Sequence, residues 1–445
     1  MKYHVWTIGC QMNVAESQRL SAALEEMGFS YAQDIRQADV VVLNTCVVRQ
    51  SAEDRATGFL WSLKPRKEHK PNMVIGLMGC YVGVNGGSDL HQVFPHVDVF
   101  MAPGRYEPLL RLLMDRQSRD LERQALLDRY DIQDVDHLLP IREQGGNLVS
   151  VHVPVMDGCN HACSYCVIPY RRGREHSRPL ESIQEEVRAL AADGVKEVTL
   201  LGQIVDRYGY DLGTGARLPD LLRAIHDVPG IERIRFLTSH PNYFDERLID
   251  EMATLPKVCE HVELPIQAGH DEVLRAMKRG YSVADYRRIV EVIRGRIPGA
   301  GIATDVIVGF PGETESQFQA TLDLLNELKV DVCHSAMYSP RPRTLSAKTM
   351  PDDVPPVEKK RRLDAVNRLQ EEIVAEINQR LLGQRLEILV EGKHRGKWKG
   401  RTRTNKLVFF EDDNPPIEFG TRGWQGQLVE VTISWTGPWS MQGQL

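Results

Sequence analysis

The chain has 445 residues, which is too long for one hydrophobic core and predicts roughly three domains. Its hydrophobic share of 42% and charged share of 26% are those of an ordinary folded protein, so the composition excludes a disordered or fibrous chain. The formal charge of -6 excludes a surface that is basic throughout, so any nucleic acid must bind to a local positive patch. No apolar run has the length of a signal peptide or a membrane span, which predicts a cytoplasmic protein without membrane contact.

The first segment alternates predicted strands and helices, and Asn13 with Glu16 predicts the cap of its first helix. A cysteine follows each of three predicted strands: Cys10 after residues 3–8, Cys46 after residues 40–43 and Cys80 after residues 73–77. The carboxyl ends of parallel strands face one crevice, so these thiols are expected to converge. Cytoplasmic thiols stay reduced, which favours metal or redox chemistry over disulfides. Whether the three thiols share one site or are separate buried residues stays open on these grounds.

The remaining pattern predicts an α/β protein of three domains. Residues 117–146 are polar and end in Gly145-Gly146, as is typical of a linker. Six further strands alternate with helices, which predicts a parallel barrel or partial barrel whose working face is formed by the carboxyl ends of the strands. The predicted organisation is an open parallel α/β sheet at 1–116, the linker at 117–146, a partial (β/α)6 barrel with a connecting helix at 147–382, and a small closed β-barrel at 383–445.

The segment DGCNHACSYCVIPYRRGRE places Cys159, Cys163 and Cys166 in one short loop. Three thiolates ligate three irons of a 4Fe-4S cluster and leave the fourth iron open. The amino and carboxylate groups of S-adenosylmethionine can chelate that iron, and an electron from the cluster then yields methionine and a deoxyadenosyl radical. Tyr165, just before the last thiol, is placed to shield the cluster.

The alternative for this loop is a structural zinc site. It would use Cys163 and Cys166 with His161 or a distant ligand, because CxxC pairs are usual for zinc. Structural zinc normally needs two ligand pairs, and the second pair is missing from the sequence. The spacing therefore favours the iron-sulfur cluster.

Two further groups of residues are ambiguous in the sequence. The turn GFPGE, with Gly309, Gly312 and Glu313, follows a strand and opens a helix, so it is either a tight turn or a backbone contact to a cofactor at the working face. Four arginines follow the cysteine loop and are suited to phosphate or carboxylate recognition, or form a solvated face: Arg171, Arg172, Arg174 and Arg178.

A basic run in the last domain predicts RNA binding. Alternation along a strand would send its charges to one face, and Trp398 would be available for stacking on a base. The run contains no acidic residue between 392 and 410 and consists of Lys393, Arg395, Lys397, Lys399, Arg401, Arg403 and Lys406.

Many separate segments, in this order, resemble the methylthiotransferase family of radical S-adenosylmethionine enzymes over nearly the whole chain. They are TIGCQMNVAES, LNTCVVR, GCNHACSYCVIPYRRGREHSRPLE, VTLLGQ, TSHP, LPIQAG, IVGFPGETE and YSPRP. GCQMN and YRRGREHSRP look most like the members that act on tRNA carrying N6-dimethylallyladenosine. The resemblance implies addition of a methylthio group to carbon 2 of that base at position 37 of tRNAs.

The resemblance also implies the cofactors and partners. Cys10, Cys46 and Cys80 would bind an auxiliary 4Fe-4S cluster that carries the sulfur, beside the radical-forming cluster. Two molecules of S-adenosylmethionine would be used, as methyl donor and as radical source. The last domain resembles a TRAM domain, which in this family implies tRNA binding. We expect a monomer and a low-potential electron donor such as flavodoxin or ferredoxin.

The sequence departs from the family pattern at several positions, so the substrate is less firmly predicted than the chemistry. Where the family usually has LLGQNVNSYG, the chain reads LLGQIVDRYG, with Ile204 and Asp206 in place of two asparagines. Ala268, His270 and Arg343 also differ from the usual residues. The alternatives are a methylthiotransferase acting on threonylcarbamoyladenosine in tRNA or on an aspartate of a ribosomal protein, and a non-catalytic zinc protein that binds RNA.

Overall fold

A computed structural model describes residues 1–48, 50–87, 89–117, 148–412 and 423–445. The predicted linker at 117–146 therefore lies almost wholly outside the described residues. Within them the chain divides into two compact units, the first formed by 1–117, 152–162 and 166–189 and the second by 148–151, 163–165 and 190–445. None of the helices in the described part of the chain is long and apolar enough to cross a membrane.

The first unit contains a five-stranded parallel sheet with the strand order β2-β1-β3-β4-β5. The third and fourth strands in this order are buried at every position. Apolar side chains pack on both faces of the sheet, as is usual for parallel sheets. The strands are β1 (Lys2–Ile8), β2 (Ser30–Tyr31), β3 (Val40–Thr45), β4 (Val74–Gly79) and β5 (Val99–Met101). The helices are Gln11–Glu26, Gln50–His69, Leu90–Val93 and Glu107–Gln117. The predicted open parallel sheet is confirmed.

The same unit includes the chain around the cysteine loop. Two short strands, β7 (Met156–Asp157) and β8 (His176–Ser177), pair antiparallel on either side of it. The helix Ile168–Arg172 lies between them, and the helix Leu180–Ala192 follows.

Apart from the small barrel at its end, the described part of the second unit has six strands arranged in chain order. The strands are β6 (Ser150–Pro154, its first two residues in this unit), β9 (Glu197–Leu201), β10 (Arg233–Leu237), β11 (His261–Glu263), β12 (Gly301–Val308) and β13 (Val332–Met337). They form two three-stranded sheets, β6-β9-β10 and β11-β12-β13. Backbone hydrogen bonds from Cys259 to Ile234 and from Ser239 to Glu263 join β10 to the segment of β11. This is the predicted partial (β/α)6 barrel.

Helices connect the barrel strands, as expected for parallel crossovers. They are Leu218–His226, Glu246–Thr254, Asp271–Ala276, Val283–Arg296 and Glu315–Leu328. The short helix Leu345–Thr349 and the long connecting helix Pro356–Gln379 follow the last of these strands. Glu315–Leu328 buries Phe318 and Leu325.

The last strands form the predicted small barrel, closed in the order β14-β15-β16-β18-β17. They are β14 (Arg385–His394), β15 (Lys397–Thr402), β16 (Leu407–Phe410), β17 (Leu428–Thr436) and β18 (Met441–Gln444). Two buried arginines of β10 donate to backbone carbonyl groups of β15, Arg233 to Arg401 at 2.7 Å and Arg235 to Thr402 at 2.8 Å. These charge-assisted bonds fix the small barrel to the (β/α)6 barrel within the second unit.

Candidate iron-sulfur and RNA-binding sites

The three strand-end thiols of the first unit come together. Cys10 precedes the helix Gln11–Glu26, Cys46 follows β3 directly, and Cys80 follows β4. Cys46 and Cys80 are buried, whereas Cys10 is exposed. Burial raises the pKa of Cys80 to about 12, and the nearby Cys46 and Cys10 add to that rise. Cys80 therefore lies within electrostatic range of both Cys46 and Cys10.

A buried asparagine pair holds Cys10 to the carboxyl end of β3. The helix cap predicted at Asn13 is wrong, because Cys10 is the N-cap and Asn13 is the third residue of the helix. Asn13 Oδ1 accepts the Cys10 N–H at 3.2 Å, and its Nδ2 donates to Asn44 Oδ1 at 2.8 Å. Asn44 returns a hydrogen bond to the Asn13 carbonyl at 2.8 Å. The sequence could have indicated this contact, because Asn44 is a polar residue that follows four apolar residues in strand β3.

Arg172 brings a positive charge to the same group of thiols. Its side chain is fully buried and donates from Nη1 to Glu16 at 2.7 Å and to Asp157 at 3.0 Å. Burial by itself would lower the pKa of Arg172, but Cys80, Glu16 and Asp157 hold it well above its usual value. Among the described residues no acceptor lies within hydrogen-bonding distance of its Nε and Nη2. Two buried donors beside Cys80 are therefore available to a sulfur-rich anion.

These features fit an auxiliary iron-sulfur cluster. The donor set is three thiols, which are the usual ligands of such clusters. Metal coordination deprotonates a thiol outright, so the raised pKa of the unligated Cys80 thiol is no obstacle. The buried guanidinium of Arg172 compensates part of the negative charge that the thiolates and cluster would bring. Only glycine fits just before Cys80. A Cβ at position 79 would lie 2.5 Å from Asn44 Oδ1, and the φ angle of Gly79 is +96°, which favours glycine.

The other three arginines that follow the cysteine loop were expected to form either a phosphate or carboxylate site or a solvated face, and as a group they form neither. Arg178 is buried and pairs with Glu186 at 2.6 Å. Arg171 donates to the Tyr81 carbonyl, and Arg174 is exposed. Arg172 and Arg178 are therefore parts of buried ion pairs rather than a phosphate site or a solvated face.

The loop with Cys159, Cys163 and Cys166 contributes to both units. In the first unit, the His161 N–H donates to Cys159 Sγ at 3.4 Å, and Val167, next to Cys166, packs with Cys80. A Cβ at Gly158 would lie 1.9 Å from the Arg174 carbonyl oxygen, so only glycine fits before Cys159. Within the first unit, the segment that follows Cys166 therefore packs beside Cys80.

In the second unit, Cys163 accepts a hydrogen bond from Arg279 Nη1 at 3.2 Å. Tyr165 makes an edge contact with Phe310, their ring centroids 6.4 Å apart. An N–H donor to each of two loop sulfur atoms suits thiolates that ligate iron, because such bonds tune cluster potentials. In the described part of the chain no three His, Cys, Asp or Glu side chains are grouped to hold one metal ion, and this applies to both sets of cysteines.

The GFPGE turn is built mainly from internal contacts. Glu313 Oε2 accepts the Gly309 N–H at 2.6 Å and pairs with Arg362 at 2.9 Å. A Cβ at Gly309 would lie 2.4 Å from Lys359 Cγ. Glu313 is thus an internal support of the turn, while the Gly312 N–H donates to Asp353 at 2.8 Å.

Family models match three successive parts of the chain. Residues 2–102 match the Uncharacterized protein family UPF0004, residues 153–325 the Radical SAM superfamily, and residues 379–445 the TRAM domain. A relative from Roseiflexus sp. (strain RS-1) is 46% identical over 100% of this chain and 89% of its own length. One from Chloroflexus aurantiacus is 46% identical over 99% of this chain and 91% of its own length. Both are called tRNA-2-methylthio-N(6)-dimethylallyladenosine synthase.

The chain belongs to this family. A third member, from Herpetosiphon aurantiacus, is 44% identical over 100% of this chain and 97% of its own length. Among solved structures, the radical S-adenosylmethionine methyltransferase TsrM from Kitasatospora setae superposes with a TM-score of 0.54 at 16% identity. That match covers 88% of this chain and 79% of TsrM and bears on the fold alone.

The TRAM segment places its basic run partly on the surface. The charges at 397, 399 and 401 alternate with buried residues, so they face outward together. Trp398 has the opposite parity and lies in the barrel core with 5% of its surface exposed, so the ring is not on the surface as expected. The outward ring is Phe409, the cross-strand partner of Lys399. Counting parity from Lys397 would have revealed this in the sequence.

Other members of the run hold the small barrel in place. Arg403 pairs with both oxygens of Glu260 at 2.7 and 2.8 Å, and Lys406 pairs with Asp331 at 2.6 Å. Arg401 pairs with Glu391 at 3.0 Å. At the tip of the β14–β15 hairpin, Lys393 and Arg395 are exposed. Lys397 and Lys399 are partly exposed and pair with Glu411 and Glu391.

Proposed function

We propose that this protein adds a methylthio group to carbon 2 of N6-dimethylallyladenosine in tRNA. The observation that carries the proposal is that Cys80 lies close to Cys10 and Cys46, in the same unit as Cys159 and Cys166. Transfer of sulfur to an unreactive ring carbon requires both a radical source and a sulfur source, and the two thiol sets supply one ligand group for each. The names of the full-length relatives support the dimethylallyl substrate over threonylcarbamoyladenosine or a ribosomal protein.

Cys159, Cys163 and Cys166 would hold the radical-forming cluster. When bound, a 4Fe-4S cluster with one open iron supplies the electron that cleaves S-adenosylmethionine. Arg279 stabilises negative charge on Cys163 through its hydrogen bond, and Tyr165 packs on the apolar ring of Phe310. The turn that contains Gly309 and Gly312, with Glu313 as its internal support, would border the cofactor. A low-potential donor such as flavodoxin or ferredoxin would deliver the electron.

Cys10, Cys46 and Cys80 would hold the auxiliary cluster. When bound, that cluster supplies the sulfur of the methylthio group. Asn13 fixes the position of Cys10, and the free Nε and Nη2 donors of Arg172 would hold negatively charged sulfur beside Cys80. We expect two molecules of S-adenosylmethionine per turnover, as methyl donor and radical source, and a cytoplasmic protein that acts as a monomer.

The tip of the β14–β15 hairpin would bind the tRNA backbone. Lys393 and Arg395 are exposed there, and Lys397 and Lys399 make only surface ion pairs, which contribute about 0–1 kcal/mol and are readily exchanged for phosphate. Phe409 offers an outward ring beside Lys399 for contact with a base.

The test is mass spectrometry of tRNA nucleosides from a strain that lacks this gene. The methylthio form of dimethylallyladenosine should be absent and its unmethylthiolated precursor should accumulate. Complementation with the natural chain should restore it, and the Cys80→Ala chain should not. Unchanged methylthio-dimethylallyladenosine together with loss of the threonylcarbamoyl derivative would contradict the substrate assignment.

A further inference from the structure

Asp206 is a buried carboxyl group with one oxygen unused, at the working face of the (β/α)6 barrel. It lies in the short turn Val205–Arg207 that follows β9 and is 5% exposed. Its Oδ2 accepts the His240 N–H at 2.8 Å, which joins the turn after β9 to the turn after β10. No described group lies within hydrogen-bonding distance of its Oδ1 or of the hydroxyl of Ser239, itself 3% exposed. A buried polar atom without a partner needs an explanation, and a polar ligand at the working face would explain the two on these neighbouring turns.

A continuous set of contacts leads from Asp206 to the cysteine loop, all within the second unit. The His240 ring lies 5.5 Å from the ring of Tyr281. The Tyr281 hydroxyl accepts from Arg279 Nε at 3.0 Å, and Arg279 donates to Cys163 Sγ at 3.2 Å. The turn that carries Asp206 is therefore connected, contact by contact, to the loop whose thiols would hold the radical-forming cluster.

The charge state of Asp206 follows from its surroundings. Burial raises its pKa to about 8. The N–H groups of His240 and of Asp206 itself and the positive charge of Arg207 act in the opposite direction and lower that pKa, but by less than burial raises it. Asp245, at the start of the helix Glu246–Thr254, adds to the rise. The carboxyl group is thus mostly protonated at pH 7. Because Oδ2 accepts a hydrogen bond, the proton belongs on Oδ1, which becomes a donor.

A neutral carboxyl group has one donor and one acceptor atom in the shape of an amide. The methylthiotransferase pattern usually has asparagine at this position, so the apparent change of charge conserves the hydrogen-bonding pattern. We propose that Asp206 is a cofactor-binding residue that, as a neutral carboxyl group, donates from Oδ1 to S-adenosylmethionine. The inference rests on the proposed function only in requiring that cofactor.

The test measures binding of S-adenosylmethionine, without reductant, to the reconstituted protein by calorimetry at pH 7 and pH 9. The affinity of the natural chain, divided by that of Asp206→Asn at the same pH, should fall about tenfold from pH 7 to pH 9, because only the protonated fraction of Asp206 is competent. Asp206→Asn is the reference because it retains only the pH dependence of the amino group of S-adenosylmethionine, which also titrates in this range. Asp206→Ala should bind more weakly than Asp206→Asn at both pH values. Infrared spectra should show a protonated carboxyl band at pH 7 that is lost at pH 9 and is absent from Asp206→Asn.

The outcomes separate this inference from the proposed function. A ratio of the natural chain's affinity to that of Asp206→Asn that is the same at pH 7 and pH 9 would overturn the role of Asp206 and leave the function intact. A missing infrared difference between the natural chain and Asp206→Asn would do the same. No binding of S-adenosylmethionine by the natural chain at either pH would overturn both.

Discussion

Arg172→Met tests how the structure prepares the site of the auxiliary cluster. The substitution leaves Glu16 buried without the cation that it faces at 2.7 Å. Removing one partner of a buried ion pair costs about 3–5 kcal/mol. Loss of the contact to Asp157 adds little, since that side chain is 39% exposed. We therefore expect the free energy of unfolding to fall by about 3–5 kcal/mol at pH 7.

Two further variants separate folding from cluster binding. In Arg172→Met with Glu16→Gln, no uncompensated charge stays buried, so most of the stability should return. Iron should not return with it, because the two free donors of Arg172 beside Cys80 are still missing. Arg174→Met, on the same stretch and exposed, is the control and should change stability by less than about 0.5 kcal/mol.

The assays are denaturant unfolding of the apo protein and iron content after anaerobic reconstitution. The natural chain should hold about eight irons, the content of two cubane clusters. Arg172→Met and the double variant should both retain about four. Full iron content in the double variant would refute a role of Arg172 at the cluster and leave it a purely structural residue. Unchanged stability of the single variant would refute the buried ion pair.

Three further predictions concern the thiols and the RNA surface. Cys159→Ala should abolish reductive cleavage of S-adenosylmethionine while about four irons remain bound, measured by deoxyadenosine release and iron analysis. Cys80→Ala should still cleave S-adenosylmethionine but transfer no methylthio group to tRNA, and transfer at the natural rate would contradict the auxiliary site. Lys393→Gln with Arg395→Gln should weaken tRNA binding and lower the slope of log affinity against log salt by about 2, whereas Arg385→Gln, about 25 Å away along β14, should not.

Sequence predicted the frame of both cysteine sites because local patterns determine it. The apolar runs of β3 and β4 are typical of buried parallel strands, and Cys46 and Cys80 follow them directly. Parallel strands that end at one edge leave little freedom in where these thiols can lie. The cap of the first helix was predicted wrongly at Asn13, since the local pattern does not show that its amide is engaged by Asn44.

Residues whose partners are distant in sequence were not predictable. Arg172 meets Glu16 across 156 positions, and nothing near either residue indicates that both are buried. Arg279 reaches Cys163 across 116 positions in the same way. Trp398 is a different case, because strand parity alone would have placed it inside the small barrel.

The most direct test of the central claim is a reaction in vitro. The reconstituted protein would be given S-adenosylmethionine, a low-potential reductant and an anticodon stem-loop that contains N6-dimethylallyladenosine, and the digested nucleosides would be analysed by mass spectrometry. The proposal predicts that a methylthio group replaces hydrogen at carbon 2 of that base, and that an unmodified adenosine at the same place is left unchanged. An unaltered dimethylallyladenosine, with S-adenosylmethionine cleaved and both clusters present, would contradict it.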